Sequence, residues 1–205
     1  MEAVVPLPSN PTLQSARKAF ARAHICQAAR ELFFRQGYGA TTFDQIANAA
    51  GTRRTTLYSH FRDKAEILEQ IADEYQDGLC AMVDLLHGPV PDRDQVQAWI
   101  AEIVGFVRRE RAPATLIIGL GIGQDTPDAI QRTSERFAQT LATHISAFAK
   151  AANRAPENAR ASAWAKVVLR ELSLACLQAA RDDSNSEDAL AVATDLFAWF
   201  VREHA

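Results

Sequence analysis

Apolar residues recur every three or four positions along most of the chain, and no stretch alternates strictly between apolar and polar, so the pattern predicts an all-α protein. A first helix is expected over residues 15–36, with Phe20, His24/Ile25, Ala28/Ala29 and Leu32/Phe33 facing inward, His24 as a satisfied core histidine, and Gly37 as the stop. A short second helix opens at Thr42, because Thr42-Phe43-Asp44-Gln45 has the form of a capping box. It buries Phe43, Ile46, Ala47 and Ala50 and ends at Gly51, which takes a left-handed conformation without a Cβ penalty. A third begins near Thr52 or Arg53 and is anchored by Leu57 and Phe61. A fourth runs from about 63 to Gly88-Pro89 with Ile67, Leu68, Ile71, Tyr75 and Leu79 inside. Further helices are expected over 92–111, 113–122, 127–153, 156–181 and 186–203, with a break at Gly121, Gly123 and Asp125-Thr126-Pro127, where Thr126 is the expected N-cap. The last helix is apolar on two sides, Leu190, Phe197 and Val201 on one and Val192, Leu196 and Phe200 on the other. It therefore needs two partners, its own domain and the same helix pair of a second subunit. Val168, Leu172, Ala175, Leu190, Phe197 and Val201 are the candidate interface residues. This gives a disordered arm over 1–15, rich in proline, a three-helix head over 16–64 and a helical body over 65–205.

The third helix has an unusual outer face. Arg53, Arg54, Thr55, Thr56, Tyr58, Ser59 and His60 are cations and hydrogen-bonding groups with no carboxylate among them, a composition suited to lying against something negative and patterned. Two short helices with a tight turn form a helix-turn-helix, whose second helix enters the major groove of DNA while the first crosses the backbone.

Thr41-Thr42, Ile46-Ala47, Ala50-Gly51, Leu57-Tyr58, Phe61 and Lys64 resemble the DNA-binding signature of the tetracycline-repressor (TetR) family, a likeness covering roughly residues 16–70. The chain departs from it after the glycine, where the family often has Val then Ser and this sequence has Thr52 and Arg53, which moves the expected cap to Thr52. The resemblance implies a regulator that binds a palindromic double-stranded operator as a homodimer, usually repressing, and lets go when a small molecule enters the body. Arg53 or Arg54 is then a candidate for bidentate pairing with guanine and Thr56 for contact with a thymine methyl. Thr55, Ser59 and Gln45 are candidates for base or phosphate, and Thr42, Tyr58, His60 and Lys64 for phosphate. The effector pocket is expected among Trp99, Ile103, Phe106, Leu116, Leu120, Phe137, Leu141, His144 and Trp164, with His144, Arg170 and Gln178 as orienting polar groups and an apolar or aromatic ligand.

Charge agrees with this division of labour. The net charge of −3 hides nine Lys and Arg against four Asp and Glu in residues 1–64, a balance of +5, and thirteen against twenty-one in residues 65–205, a balance of −8. Cys26, Cys80 and Cys176 are far apart and show no metal-ligand spacing, so no disulfide framework, metal or other cofactor is indicated. The start of the chain lacks a signal-peptide pattern and no segment approaches membrane-spanning length, so a cytoplasmic protein without membrane contact is expected. Gly119–Gly123 reads GLGIG but follows a helix-period segment and precedes no Lys-Ser/Thr, which discounts a phosphate loop. Two rival classes are weighed: a helical interaction module that binds no DNA, and a small enzyme using His144 or Cys80, for which no nucleophile–base pair is readable, so the chain is not expected to be an enzyme.

Overall fold

The computed structural model describes residues 13–122, 126–181 and 186–205, and all regular structure among them is helical. The order is α1 (Leu13–Gln36), α2 (Phe43–Ala49), α3 (Arg54–His60), α4 (Lys64–Cys80), α5 (Arg93–Arg109), α6 (Arg111–Ile122), α7 (Asp128–Ala142), α8 (Ser146–Ala152), α9 (Ala159–Ala179) and α10 (Ser186–Glu203), with 3₁₀ turns at Val83–Leu85 and Pro156–Asn158. The chain divides into two compact units, residues 1–67 and 68–205.

In the first unit α1 packs on α2 and α3. Ile25, Cys26, Ala29 and Phe33 line the buried side of α1 against Ile46, Ala47, Leu57, Phe61 and Ile67, all at most 3% exposed. Ile25, Ala28, Ala29 and Phe33 are buried as the pattern predicts, and two residues of the expected inner face are not. Phe20 is 77% exposed, and His24 lies at the surface with Nε2 3.2 Å from the Ala50 carbonyl oxygen. The expected arm through residue 15 is also shortened, since α1 is already helical at Leu13; residues 1–12 lie outside the described residues.

The second unit is built on α9 and α10, with α5, α6 and α8 packed against α9. Its centre is an aromatic chain in which Phe197 stacks 5.2 Å from Trp99 and 5.6 Å from Phe148, and Phe148 meets Phe200 edge-on at 5.1 Å. Trp99 donates its indole N–H to the Met82 carbonyl at 3.0 Å. The expected helix over 127–153 is two helices, because Thr143 caps α7 and Ile145 is extended. The Thr140 and Thr143 hydroxyls bond back to the Arg136 and Thr140 carbonyls, and Ser146 N–H leaves the helix for Pro89 O. The N-cap position of α7 is held by Pro127, not Thr126, whose hydroxyl donates to Leu120 O; Gly123 and Asp125 lie outside the described residues. α4 stops at Cys80, well short of Gly88.

The candidate interface residues are the chain's own core. Val168, Leu172, Ala175, Phe197 and Val201 are at most 4% exposed within a single chain and serve its core, while Leu190 is half-buried. The candidate pocket residues differ in their surroundings. Trp99 is closed in by Phe197, and Ile103, Leu116 and Leu141 are buried, while Leu120 and Phe137 are half-buried. Phe106 stacks on Tyr75 at 5.2 Å, and Trp164 belongs to the α9–α10 pair, edge-on to Trp199 at 4.9 Å. His144 sits near the surface with Nε2 3.1 Å from an Asp84 carboxylate oxygen, and Arg170 pairs with its neighbour Glu171. Among the described residues no helix is long and apolar enough to cross a membrane.

Candidate nucleic-acid interface

The turn between α2 and α3 places the exposed cations. Thr42 Oγ1 accepts from Gln45 N–H at 3.2 Å and Thr42 N–H donates to Gln45 Oε1 at 2.8 Å, so the capping box holds the start of α2. Gln36 ties α1 to the same point, donating to Gln45 Oε1 at 3.0 Å and to Thr41 Oγ1 at 3.2 Å. The Gln45 amide oxygen is therefore engaged within the fold. Gly51 has φ +59°, and Thr52 N–H returns to Ala47 O at 2.9 Å. Arg53, not Thr52, is the extended residue at the start of α3, and no side chain caps it.

Leu57 and Phe61 are buried and turn Arg53, Arg54, Thr55, Thr56, Tyr58 and Ser59 outward, all of them exposed. Ser59 Oγ donates back to Thr56 O at 2.7 Å. Tyr58 is half exposed, its ring 4.9 Å from that of Phe43 on α2. His60 is turned partly inward, its Nδ1 buried, and its carbonyl accepts from Arg22, whose guanidinium lies 3.9 Å over the Phe61 ring. Arg22 also reaches Glu66 at 3.4 Å. The Glu66 carboxyl is held below its ordinary value, first by the Arg62 backbone N–H and, against the opposing effect of burial, by Arg22.

Lys64 departs most from its expected role. Its ammonium donates to Tyr38 O at 2.6 Å, Thr41 O at 2.8 Å and Gly39 O at 3.4 Å, and lies 4.4 Å from the Tyr38 ring centroid. With three donors on three carbonyls, it closes the α1–α2 turn. Burial lowers its pKa, and burial followed by Asp63 raises that of Tyr38.

Asp44 was overlooked by sequence reasoning as more than part of the capping box. Its Oδ2 accepts from Arg54 Nη1 at 2.8 Å, with Arg54 Nη2 donating to Tyr58 Oη at 3.3 Å. The signal was present, since Asp44 is the one acidic residue between Glu31 and Asp63.

Residues 25–71 match the model of the family described as bacterial regulatory proteins, tetR family. Over 127 residues the chain is 30% identical to the uncharacterized HTH-type transcriptional regulator TtgW of Pseudomonas putida, a match spanning 58% of this chain and 90% of that one. It is equally similar to the HTH-type transcriptional regulator SrpR of the same species, 30% over 127 residues, and there the chain spans 57% of the relative's length and 58% of its own. A TetR-like transcriptional regulator from Rhodococcus sp. RHA1 superposes with a TM-score of 0.63 at 18% identity, covering 95% of this chain and 97% of that one, which extends the shared fold to the second unit. Helix-turn-helix geometry, family match and relatives agree: the chain belongs to the tetR family of bacterial regulatory proteins.

Proposed function

We propose that the protein binds a two-fold symmetric DNA operator as a homodimer, regulates transcription from it as a repressor, and is released by a small molecule taken up in the second unit. The observation that carries DNA binding is the outer face of α3, where two exposed arginines, three hydroxyl residues and a tyrosine are turned outward by buried Leu57 and Phe61. One seven-residue helix reads few bases, and two of them held one DNA turn apart, roughly 34–36 Å, multiply the discrimination. Arg53, Arg54, Thr55, Thr56 and Ser59 face the bases, and Thr42 and Tyr58 the phosphates. Replacing Arg53, Arg54 and Tyr58 together by Ala should abolish duplex binding while the helical content and oligomeric state stay unchanged; binding unaffected by the triple change eliminates the reading.

Dimerisation falls to the outer side of α9 and α10. There Val167 and Val192 are 40% and 67% exposed, beside the half-buried Trp164–Trp199 pair. Large exposed apolar side chains around a partly covered aromatic pair suit a two-fold helix packing.

For the effector, Tyr75 is a better orienting group than His144. It is 5% exposed and stacks on Phe106 within the second unit. Burial raises the phenol's pKa, with Cys176 and Glu110 adding to it, so it stays a neutral donor. Such a group in an apolar surround suits an uncharged aromatic ligand with one hydrogen-bond acceptor, and the nearby Glu110 disfavours an anion. To move from almost wholly operator-competent to almost wholly released, such a ligand must prefer the released state about 10⁴-fold.

A further inference from the structure

Resting on the DNA-binding reading above, we propose that Asp44 is a positioning residue that fixes the Arg54 guanidinium for base recognition and thereby sharpens sequence discrimination. A carboxylate among groups that face phosphates repels them, so its presence on this surface calls for a compensating role. It does not cap α2, a task held by Thr42 and Gln45. As an ion pair its value to the fold is small, because the Arg54 and Asp44 side chains are 60% and 54% exposed. The pair nonetheless restrains four side chains in series. Phe43 of α2 supports the Tyr58 ring at 4.9 Å, the Arg54 guanidinium carbon lies 5.6 Å from that ring's centroid, and its two terminal nitrogens reach Tyr58 Oη and Asp44 Oδ2.

Two elements thus grip one guanidinium. Asp44 and Phe43 come from α2, and Arg54 and Tyr58 stand one turn apart on α3. An unrestrained Arg loses rotamer freedom when it docks and reaches a phosphate as readily as a base. Held by Asp44 and Tyr58, Arg54 keeps three N–H donors in a set direction, the condition for a bidentate contact with guanine. The carboxylate also offsets the cation's general attraction to phosphate, which lowers affinity for unrelated DNA. Both effects raise the ratio of specific to nonspecific binding.

The test uses the full-length protein and the consensus duplex recovered by in vitro selection from random duplex DNA with wild-type protein. Asp44→Ala is expected to bind random-sequence duplex more tightly and to steepen the dependence of log K on log salt by about 0.9, as one more cation becomes available to phosphate. Its preference for the consensus over substitutions at one base pair per half-site should fall by about tenfold, the scale of one bidentate contact. In an Arg54→Ala background the same change should leave that preference unaltered, because Asp44 acts through Arg54. Arg54→Lys keeps the charge without the fork, and should lose the preference while keeping the salt slope. An Asp44→Ala protein with undiminished base preference, or an equal loss with and without Arg54, overturns the proposal. Wild-type protein that selects no duplex defeats the DNA-binding reading itself.

Discussion

Lys64 separates two roles that one measurement of affinity would confuse. Replacing it by Met removes the ammonium and keeps most of the aliphatic stem. The structure puts hydrogen bonds of 2.6 and 2.8 Å on Tyr38 O and Thr41 O and a longer one of 3.4 Å on Gly39 O. Bonds from a charged donor contribute about 1.5–3 kcal/mol each when well covered. Lys64 is only half-buried, so water replaces part of this, and the ordering of its long side chain opposes it; about 1–2 kcal/mol is the expected loss. The change should appear as faster amide hydrogen exchange around residues 38–41 and an earlier denaturant midpoint for the first unit. Operator affinity should fall only by the fraction of that unit left unfolded, and the slope of log K against log salt should stay as in the wild type. Unchanged stability with a slope shallower by about 0.9 would mean that Lys64 meets a phosphate after all, and that its carbonyl contacts are incidental.

Three further outcomes are expected. Gly78→Ala puts a Cβ 2.6 Å and 2.7 Å from two ring carbons of Phe106, so overpacking of about 1–3 kcal/mol should outweigh the helix-propensity gain of about 1 kcal/mol, and Phe106→Leu in the same chain should restore the loss, as thermal melts will show. Glu66 has a folded pKa depressed below 4.5; its contribution is therefore complete above that unfolded value and is lost as pH falls through the folded one, so Glu66→Gln should flatten the acid limb of a pH–stability curve while leaving its alkaline side alone. Val167→Asp with Val192→Asp should yield a folded monomer by light scattering, with operator affinity reduced by at least tenfold; a dimer that survives both changes places the interface elsewhere.

Local signals were legible wherever chemistry and spacing act within one turn of helix. The capping box at Thr42 and Gln45, the left-handed Gly51 and the inward anchors Leu57 and Phe61 all stand as the pattern predicts, because each depends on neighbours three or four residues away. Contacts between distant residues were not. Nothing in the spacing shows that Asp44 meets Arg54 ten positions on, or that the carbonyls of Tyr38, Gly39 and Thr41 converge on Lys64 more than twenty positions later. Backbone carbonyls carry no residue code, so a cation that satisfies them reads in sequence like any cation free to meet a phosphate.

The faces of α9 and α10 meet a different limit. Periodicity reports that α10 has apolar residues on two sides, but not which side the chain covers itself. A chain first buries the stripe that fits its own neighbours: the regular i, i+4 run Val168–Leu172 and the Phe197–Val201 pair close on the core shared with Trp99 and Phe148. What remains outside is Val167 and Val192 with the half-covered Trp164 and Trp199; the pattern marks Val192 as part of a second apolar side, but not that Phe200 of that same side turns into the core. In a helix that serves both a core and a partner the stronger stripe is needed for the fold before any second subunit arrives, so the stripe left outside is the one to test as the partner's, and the paired Val167 and Val192 substitutions do so.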